Sequence, residues 1–81
     1  MNINEIDLNL LRLFDMVWRY RHVSEAAQRL GLSQPAASQG LARLRRLLGD
    51  ALFERSGTGV RPTPLAERLA PYRDEADRAA G

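Results

Sequence analysis

The stretch GLSQPAASQ, near the middle of the chain, clusters amide and hydroxyl side chains that can recognise hydrogen-bonding patterns. Gln34 and Gln39 can each form two hydrogen bonds with the edge of an adenine base, and a good pair of this kind contributes about 1–3 kcal/mol of discrimination between bases. Ser33 and Ser38 suit contacts with phosphate groups or base edges. These residue types at this spacing point to the chemistry of reading a nucleic-acid groove.

The spacing also predicts that these side chains begin a helix over residues 33–48. Ser33 is a good N-cap, Pro35 falls in the first turn, where its missing N–H costs nothing, and Gly49 ends the helix. At about 100° per residue the apolar positions share one face, namely Ala37, Leu41, Leu44 and Leu48. The opposite face is small, amide-bearing and basic, and consists of Pro35, Gln39, Ala42 and Arg46, with Ser38 and Arg43 at its flanks.

A shorter helix precedes this one. The segment SEAAQRL has Ser24 as its N-cap candidate, small alanines that let another helix cross closely, and Gly31 as its end. Leu32 is expected to be a buried anchor in the turn that follows. Two helices joined by about three residues that include a glycine are typical of a helix-turn-helix, here at about residues 23–42.

The first helix is predicted over residues 7–21, where Asp7 can cap the N-terminus. Its apolar residues recur three and four positions apart and form one stripe, namely Leu10, Leu11, Phe14, Val17 and Trp18. A chain of 81 residues is one small domain, so this stripe and the core face of the longer helix must share a single core.

After the third helix the pattern changes to ALFERSGTGVRPT. The glycines allow a tight turn, Val60 resumes the apolar pattern, and Pro62 stops any longer strand, so a two-stranded hairpin, or wing, is predicted at about residues 52–62. A hairpin alone is marginally stable, and we therefore expect its apolar residues to pack on the helices.

Thr63 and Pro64 are a cap-plus-proline helix start. The chain is accordingly divided into a body at residues 1–63 and a helix at residues 64–81, which Pro71 is expected to kink. This last helix has an apolar stripe that nothing in the body is expected to cover, namely Leu65, Leu69, Tyr72 and Ala76.

The charge is concentrated in the second half of the body. The formal net charge is only +2, and all twelve basic residues are arginine. Between residues 33 and 62 five arginines face two acidic residues, whereas in residues 1–32 four arginines balance four acids. A basic excess of this kind is typical of a nucleic-acid footprint, although codon usage in a GC-rich genome produces the same preference for arginine.

The composition argues against several classes of protein. There is no cysteine, and His22 is the single histidine, so neither a disulfide framework nor a metal site is expected. Ser33 and Ser38 are poor candidates for nucleophiles because the histidine lies in another segment. The sequence has no run of about 18–20 apolar residues and no signal peptide, which favours a soluble, cytoplasmic protein. The chain also lacks a plausible catalytic cluster and enough residues to build a pocket, so we expect that it is not an enzyme and needs no cofactor.

The order of these motifs resembles the N-terminal domain of LysR-type transcriptional regulators. The short alanine helix, LSQPAAS and LGDALFERSGTGV carry the resemblance, which runs from about Leu8 to Pro64. It implies a mainly α winged helix-turn-helix, with three helices and a short two-stranded wing, followed by a long linker helix that forms a homodimer. It also implies sequence-specific binding of double-stranded promoter DNA, in which the helix at 33–48 reads a short interrupted palindrome from the major groove.

In this family the dimer is often part of a tetramer, and a domain that binds a small-molecule inducer normally follows the linker helix. This chain stops at Gly81, so the resemblance leaves two alternatives, a DNA-binding domain cut from a longer regulator or a regulator that naturally lacks the effector domain, and it favours the first. The recognition positions of the family fall here on Ser33, Gln34, Pro35, Ser38 and Gln39. Position 39 is arginine or lysine in many members, and the wing position that is often an arginine in the minor groove is Thr58 here.

The predicted DNA-contacting set joins these positions to the exposed face of the third helix and to the wing. It consists of Ser33, Gln34, Pro35, Ser38, Gln39, Ala42, Arg43, Arg46, Arg55, Thr58 and Arg61. An alternative hypothesis is a winged-helix module that binds protein without specific DNA binding. A protein-docking surface should be more apolar than the face that Pro35, Gln39 and Arg46 form, and this difference favours DNA.

Overall fold

The computed structural model describes residues 7–70, which form three helices, a two-stranded wing and the start of a fourth helix. The helices are α1 (Leu8–Tyr20), α2 (Val23–Leu30) and α3 (Gln34–Leu48), and the strands are β1 (Phe53–Ser56) and β2 (Gly59–Pro62). A helix that we call α4 begins at residue 64 and is helical through residue 70. The predicted winged helix-turn-helix is confirmed. The positions of Pro71, Tyr72 and Ala76 lie outside the described residues.

Most of the predicted helix boundaries are confirmed by capping contacts. The backbone N–H of Leu10 donates to the Asp7 carboxylate at 2.9 Å, and that of Ala36 donates to the Ser33 hydroxyl at 3.2 Å. Gly31 and Gly49 end α2 and α3 in the left-handed conformation, with φ of 70° and 65°. Glycine reaches this conformation without the steric cost that a Cβ brings.

The predicted N-cap at Ser24 is wrong. The chain turns from α1 to α2 within two residues, since Arg21 is left-handed with φ of 58° and His22 is extended. α2 therefore begins at Val23, and His22 occupies the N-cap position without a side-chain capping bond. Ser24 lies inside the first turn, where its hydroxyl is available for other contacts.

One small core joins the helices to the wing. Its buried residues are Leu10, Leu13, Phe14, Val17, Ala26, Ala27, Ala37, Leu41, Leu44, Leu52, Phe53 and Ala66. α3 approaches α1 closely at Gly40, where a Cβ would lie 2.6 Å from a Leu13 methyl group. The rings of Phe14 and Phe53 lie 5.4 Å apart and dock the first wing strand on α1.

Two predictions about buried leucines are wrong. Leu11 is 42% exposed, and Leu13, which is 2% exposed, takes its place in the core. The buried stripe of α1 runs through residues 10, 13, 14 and 17, so it is centred further round the helix than the predicted stripe. Leu32, the expected anchor of the turn, is 41% exposed. The buried side chains of the helix-turn-helix are instead mostly small, namely the alanines of α2 and Ala37 of α3.

The wing is an antiparallel pair with a two-residue loop at Gly57 and Thr58. Positive φ at the first loop residue alone, 59° at Gly57, is the pattern of a type II′ turn, which matches the twist of the flanking strands. The register places Arg55 opposite Val60 and Glu54 opposite Arg61.

Candidate nucleic-acid interface

The outward face of α3 carries the polar side chains that the sequence placed there. Gln34, Pro35, Ser38, Gln39, Arg43 and Arg46 are all exposed, and Ala42 is half-buried. Neither Gln34 nor Gln39 uses its side-chain amide in a hydrogen bond within residues 7–70. The opposite side of α3 packs in the core, so the backbone positions from which these two side chains extend are fixed.

Ser33 differs from the other polar residues at this end of α3. Its hydroxyl oxygen is the cap that accepts the Ala36 N–H, although the residue is exposed. The hydroxyl hydrogen and the second lone pair remain for an external group. Ser33 therefore starts the helix while its side chain remains exposed at the N-terminus of α3.

An open groove of about 310 Å³ separates α3 from the wing, and it collects residues that are distant in sequence. Gln34 and Ser38 line one wall, and Arg55 and Thr58 line the wall formed by the wing. Four of the residues in the predicted DNA-contacting set are thus brought to one groove, with amide, hydroxyl and guanidinium groups facing the same space.

The sequence did not predict that His22, Ser24 and Arg45 also line this groove. His22 and Ser24 enter it because α2 begins beside the wing, and Arg45 enters it from α3. The guanidinium Nε of Arg45 donates to the Ala51 carbonyl at 2.9 Å, which holds the side chain at the margin of the groove. The approach of the α1–α2 turn to the wing is a tertiary contact, and no local pattern signals it.

The two wing arginines lie on opposite faces of the hairpin. Side chains alternate along a strand, so Arg55 shares a face with buried Phe53, and that face turns towards the groove. Arg61 lies opposite Glu54 in the register, on the other face, and does not line the groove. The structure therefore separates Arg61 from the other wing residues of the predicted set.

The charge of the surface near α3 is not neutralised internally. Arg43, Arg46 and Arg55 make no ion pair within residues 7–70, whereas Arg19 and Arg29 pair with Asp15 and Glu25 of their own helices. Unpaired guanidinium groups on one side of a domain attract polyanions and provide donors for phosphate oxygens.

The described residues offer nothing to hold a metal ion. No group of three or more histidine, aspartate or glutamate side chains in residues 7–70 has the arrangement of a metal site. Among the same residues, no helix is both long enough and apolar enough to cross a membrane.

The fold and the site together define a winged helix-turn-helix module. Its family follows from the similarity of the sequence to known proteins. The sequence model described as a bacterial regulatory helix-turn-helix protein of the lysR family matches residues 8–67. The chain therefore belongs to the LysR family of bacterial regulatory helix-turn-helix proteins.

Relatives in this family are transcriptional regulators of greater length. The chain is 50% identical over 70 residues to the HTH-type transcriptional regulator SyrM of Rhizobium etli, which covers 86% of this chain and 21% of the relative. It is also 50% identical over 70 residues to the transcriptional activator NagR of a Ralstonia species, with 86% of this chain and 23% of the relative covered. The chain spans about a fifth to a quarter of the length of these relatives.

Solved structures agree with the fold. A probable transcriptional regulator from Pseudomonas aeruginosa superimposes with a TM-score of 0.85 at 46% identity, covering 98% of this chain and 26% of that one. The structure described as the BenM_DBD/catB site 1 DNA complex superimposes with a TM-score of 0.78 at 28% identity, covering 91% of this chain and 83% of that one.

Proposed function

We propose that residues 1–63 form a sequence-specific double-stranded DNA-binding domain of a transcriptional regulator, and that α3 reads bases from the major groove. The observation that carries this proposal is the exposed face of α3, where the side-chain amides of Gln34 and Gln39 make no hydrogen bond to any residue from 7 to 70. Glutamine can distinguish adenine by a pair of hydrogen bonds in the major groove. The similarity of the fold to the BenM domain, whose structure is described as a DNA complex, supports DNA as the partner.

The proposed contacts divide into two kinds. Gln34, Pro35, Ser38, Gln39 and Ala42 contact base edges and thymine methyl groups. The remaining members of the set contact phosphates and position the domain, and these are Ser33, Arg43, Arg46, Arg55, Thr58 and Arg61. Arg55 and Thr58 line the groove between α3 and the wing, and from there they contact the DNA backbone. Arg61 lies on the other face of the wing, so its contact is the most peripheral.

Residues 64–81 are proposed to be a linker helix that joins two copies. Within the described part of α4, Ala66 and Ala70 face the body and are buried, Leu65 is half-buried, and Leu69 is 38% exposed. An exposed leucine on the outer side of a docked helix is suited to pack against a second copy. Tyr72 and Ala76 are proposed to continue this contact.

As part of a longer regulator, the domain would act in the cytoplasm with promoter DNA as its partner, and a small-molecule inducer would bind a following domain. Tetramer formation would also depend on that longer protein. The domain itself needs no cofactor in this proposal and carries out no catalysis. The alternative of a protein-docking module fits less well, because the exposed face of α3 offers amides and guanidinium groups rather than an apolar surface.

Selection from a random pool of DNA duplexes tests the proposal and requires no assumption about the operator. The 81-residue chain should enrich two inverted copies of one short motif, with centres about one helical turn apart or a multiple of it. Sedimentation of the protein with the enriched duplex should give two chains per duplex. A pool that remains random after repeated selection would refute sequence-specific binding, and a single chain per duplex would refute the role of the linker helix.

A further inference from the structure

We propose that Asp50 fixes the direction in which α4 leaves the body and thereby sets the half-site spacing that a dimer accepts. The part about spacing rests on the dimer proposed above, whereas the direction of α4 is a property of the single chain. Asp50 lies directly after Gly49, which ends α3, so its backbone position is set by the recognition helix.

One carboxylate oxygen of Asp50 connects the end of α3 to the start of α4. It accepts the Leu52 N–H at 2.7 Å and the Thr63 hydroxyl at 2.7 Å. The Thr63 hydroxyl oxygen in turn accepts the Ala66 N–H at 3.2 Å, which caps α4. A carboxylate at the end of one helix is therefore bonded to the capping hydroxyl of another helix, although the two residues are thirteen positions apart in sequence.

The contact is built into a constrained part of the chain. Leu52 is fully buried and left-handed, with φ of 65°, a conformation that is strained for a residue with a Cβ. Its N–H is held by Asp50, and its carbonyl accepts the Thr63 N–H at 2.8 Å. Both peptide groups of the strained residue thus point at partners that control where α4 begins, as expected when surrounding contacts maintain a strained conformation.

A threonine cap alone does not need the carboxylate. The capping bond uses only the oxygen of Thr63, so without Asp50 the hydroxyl hydrogen of this buried residue would lack an acceptor. With Asp50 in place the hydroxyl has one orientation, with its lone pair towards Ala66. The hydrogen bonds also lower the pKa of the Asp50 carboxyl, and Arg68 on α4 contributes a further attraction.

The direction of α4 matters for DNA binding because a small change in its angle moves the distant recognition helix by several ångströms. In a dimer joined through α4, the distance between the two recognition helices depends on the angle between α3 and α4 in each chain. A swing of about 10° on an arm of roughly 20 Å moves α3 by about 3.5 Å, which is the rise of one base pair. A small loss of angular definition therefore changes which half-site spacings fit.

The angle can be measured by spin-label distances, since the chain has no cysteine of its own. Arg43→Cys on α3 and Glu67→Cys on α4 provide two exposed labelling positions, and dilution with unlabelled chain isolates distances within one molecule. We expect a narrow distribution in the parent, and a broader or displaced one with Asp50→Ala and with Thr63→Val. Asp50→Asn and Thr63→Ser retain an acceptor and a hydroxyl respectively, and they should leave the distribution narrow.

Asp50→Ser covers the case in which Asp50→Ala does not fold. A serine can still accept the Leu52 N–H two residues on, but its side chain is too short to reach Thr63 as well. It should broaden the distances while the chain remains folded by circular dichroism. An unchanged distribution in every folded variant that lacks the contact between Asp50 and Thr63 would overturn the proposal.

Duplex selection then tests the consequence for spacing. We expect the parent to enrich one spacing, and Asp50→Ala or Asp50→Ser to enrich the same half-site motif at several spacings. A variant that keeps the single parental spacing would overturn the spacing role. If the parent enriches half-sites with no fixed spacing, the proposed dimer and the spacing role both fail, while the spin-label distances still decide the direction of α4.

Discussion

At the scale of single residues, the proposed DNA-reading face of α3 combines amide and guanidinium groups. The amides of Gln34 and Gln39 have direction and can distinguish bases, whereas Arg43 and Arg46 carry charge on a flexible stem. Ser38 lines the groove together with Gln34. Substitutions of the two kinds should therefore produce different signatures in binding experiments.

Replacing Gln39 with alanine should relax base preference. We expect Gln39→Ala to lose about 1–3 kcal/mol of discrimination at one base pair of each half-site, while binding to random duplex changes little. Competition between the preferred duplex and single-base variants measures this. Gln28→Ala, which removes an exposed glutamine from α2, is the matched control and should keep the parental preference.

Replacing Arg46 with alanine should weaken binding to all DNA sequences alike. The expected reason is loss of one phosphate contact, so the slope of log affinity against log salt should fall by about one per chain. Titrations at several salt concentrations measure the slope, and Arg12→Ala, an exposed arginine of α1, is the control. If Gln39→Ala and Arg46→Ala caused the same loss of preference, this division of roles would be wrong.

Asp50 should make stability depend on pH in the acidic range. Its pKa lies below the ordinary value of 3.8, because the Thr63 hydroxyl and the Leu52 N–H stabilise the charged form. A lowered folded pKa contributes stability that is present above 3.8 and is lost as pH falls through the folded value. The difference in Tm between the parent and Asp50→Asn should be constant near neutrality. Below pH 3.8 the Tm of the parent should fall relative to that of Asp50→Asn. A difference that is flat across this range would contradict the lowered pKa.

Residue-level patterns predicted the helix starts better than the contacts between segments. Ser33, Pro35 and Gly49 act within a few residues of themselves, so their roles could be inferred from the sequence alone. The Asp50 contact with Thr63 could not be predicted in this way, because it requires two segments to meet after folding. The same limit explains why Arg45 was not expected in the groove.

At the scale of elements, the wing takes its position from the turn between α1 and α2. The left-handed Arg21 presents its carbonyl to the Val60 N–H at 2.8 Å. Its own N–H donates to the Val17 carbonyl, and its Nε donates to the Trp18 carbonyl at 2.7 Å, with the guanidinium 4.6 Å from the Trp18 ring centre. Arg21 therefore ties the turn between α1 and α2 to α1, and its carbonyl ties the wing to this turn.

Gly59 allows this close approach, and Gly59→Ala should displace the wing. An added Cβ would collide with the Arg21 carbonyl oxygen and lie 3.1 Å from the His22 ring. We expect faster hydrogen exchange at the Val60 amide, weaker binding to all duplexes because Arg55 moves, and an unchanged base preference.

Gly49→Ala is the matched control for the wing. An added Cβ there has nothing within 4 Å, although the φ of 65° costs roughly 1–2 kcal/mol for alanine. It should destabilise the fold without exposing the Val60 amide selectively. Equal exchange rates at Val60 in the parent and in Gly59→Ala would refute the role of this contact in placing the wing.

The sequence predicted which segments form helices and strands. The first residue of α2 and the buried face of α1 depended on tertiary structure. Periodicity predicted α1, but it chose Leu11 instead of Leu13, because the two leucines differ by about 200° around the helix and only packing against α3 selects one. Ser24 is a good capping residue by type. The tight corner at Arg21 nevertheless starts α2 one residue before it.

At the scale of the whole molecule, one surface combines the outward face of α3, the groove and the wing. The small core holds these elements together, and the cations near α3 remain unpaired within the described residues. In the proposed dimer, two such surfaces face successive major grooves about 34 Å apart. Phosphate contacts would then supply affinity that depends on salt, and the α3 amides would supply the choice of sequence.

The ratio of affinities for the selected duplex and for a scrambled duplex of the same composition tests the central claim most directly. Fluorescence anisotropy at a low and a high salt concentration measures both affinities. We expect both to weaken with salt, while the selected duplex remains favoured by roughly 10³-fold or more, because base contacts release few counterions. Equal affinities for the two duplexes at both salt concentrations would contradict sequence-specific reading by α3.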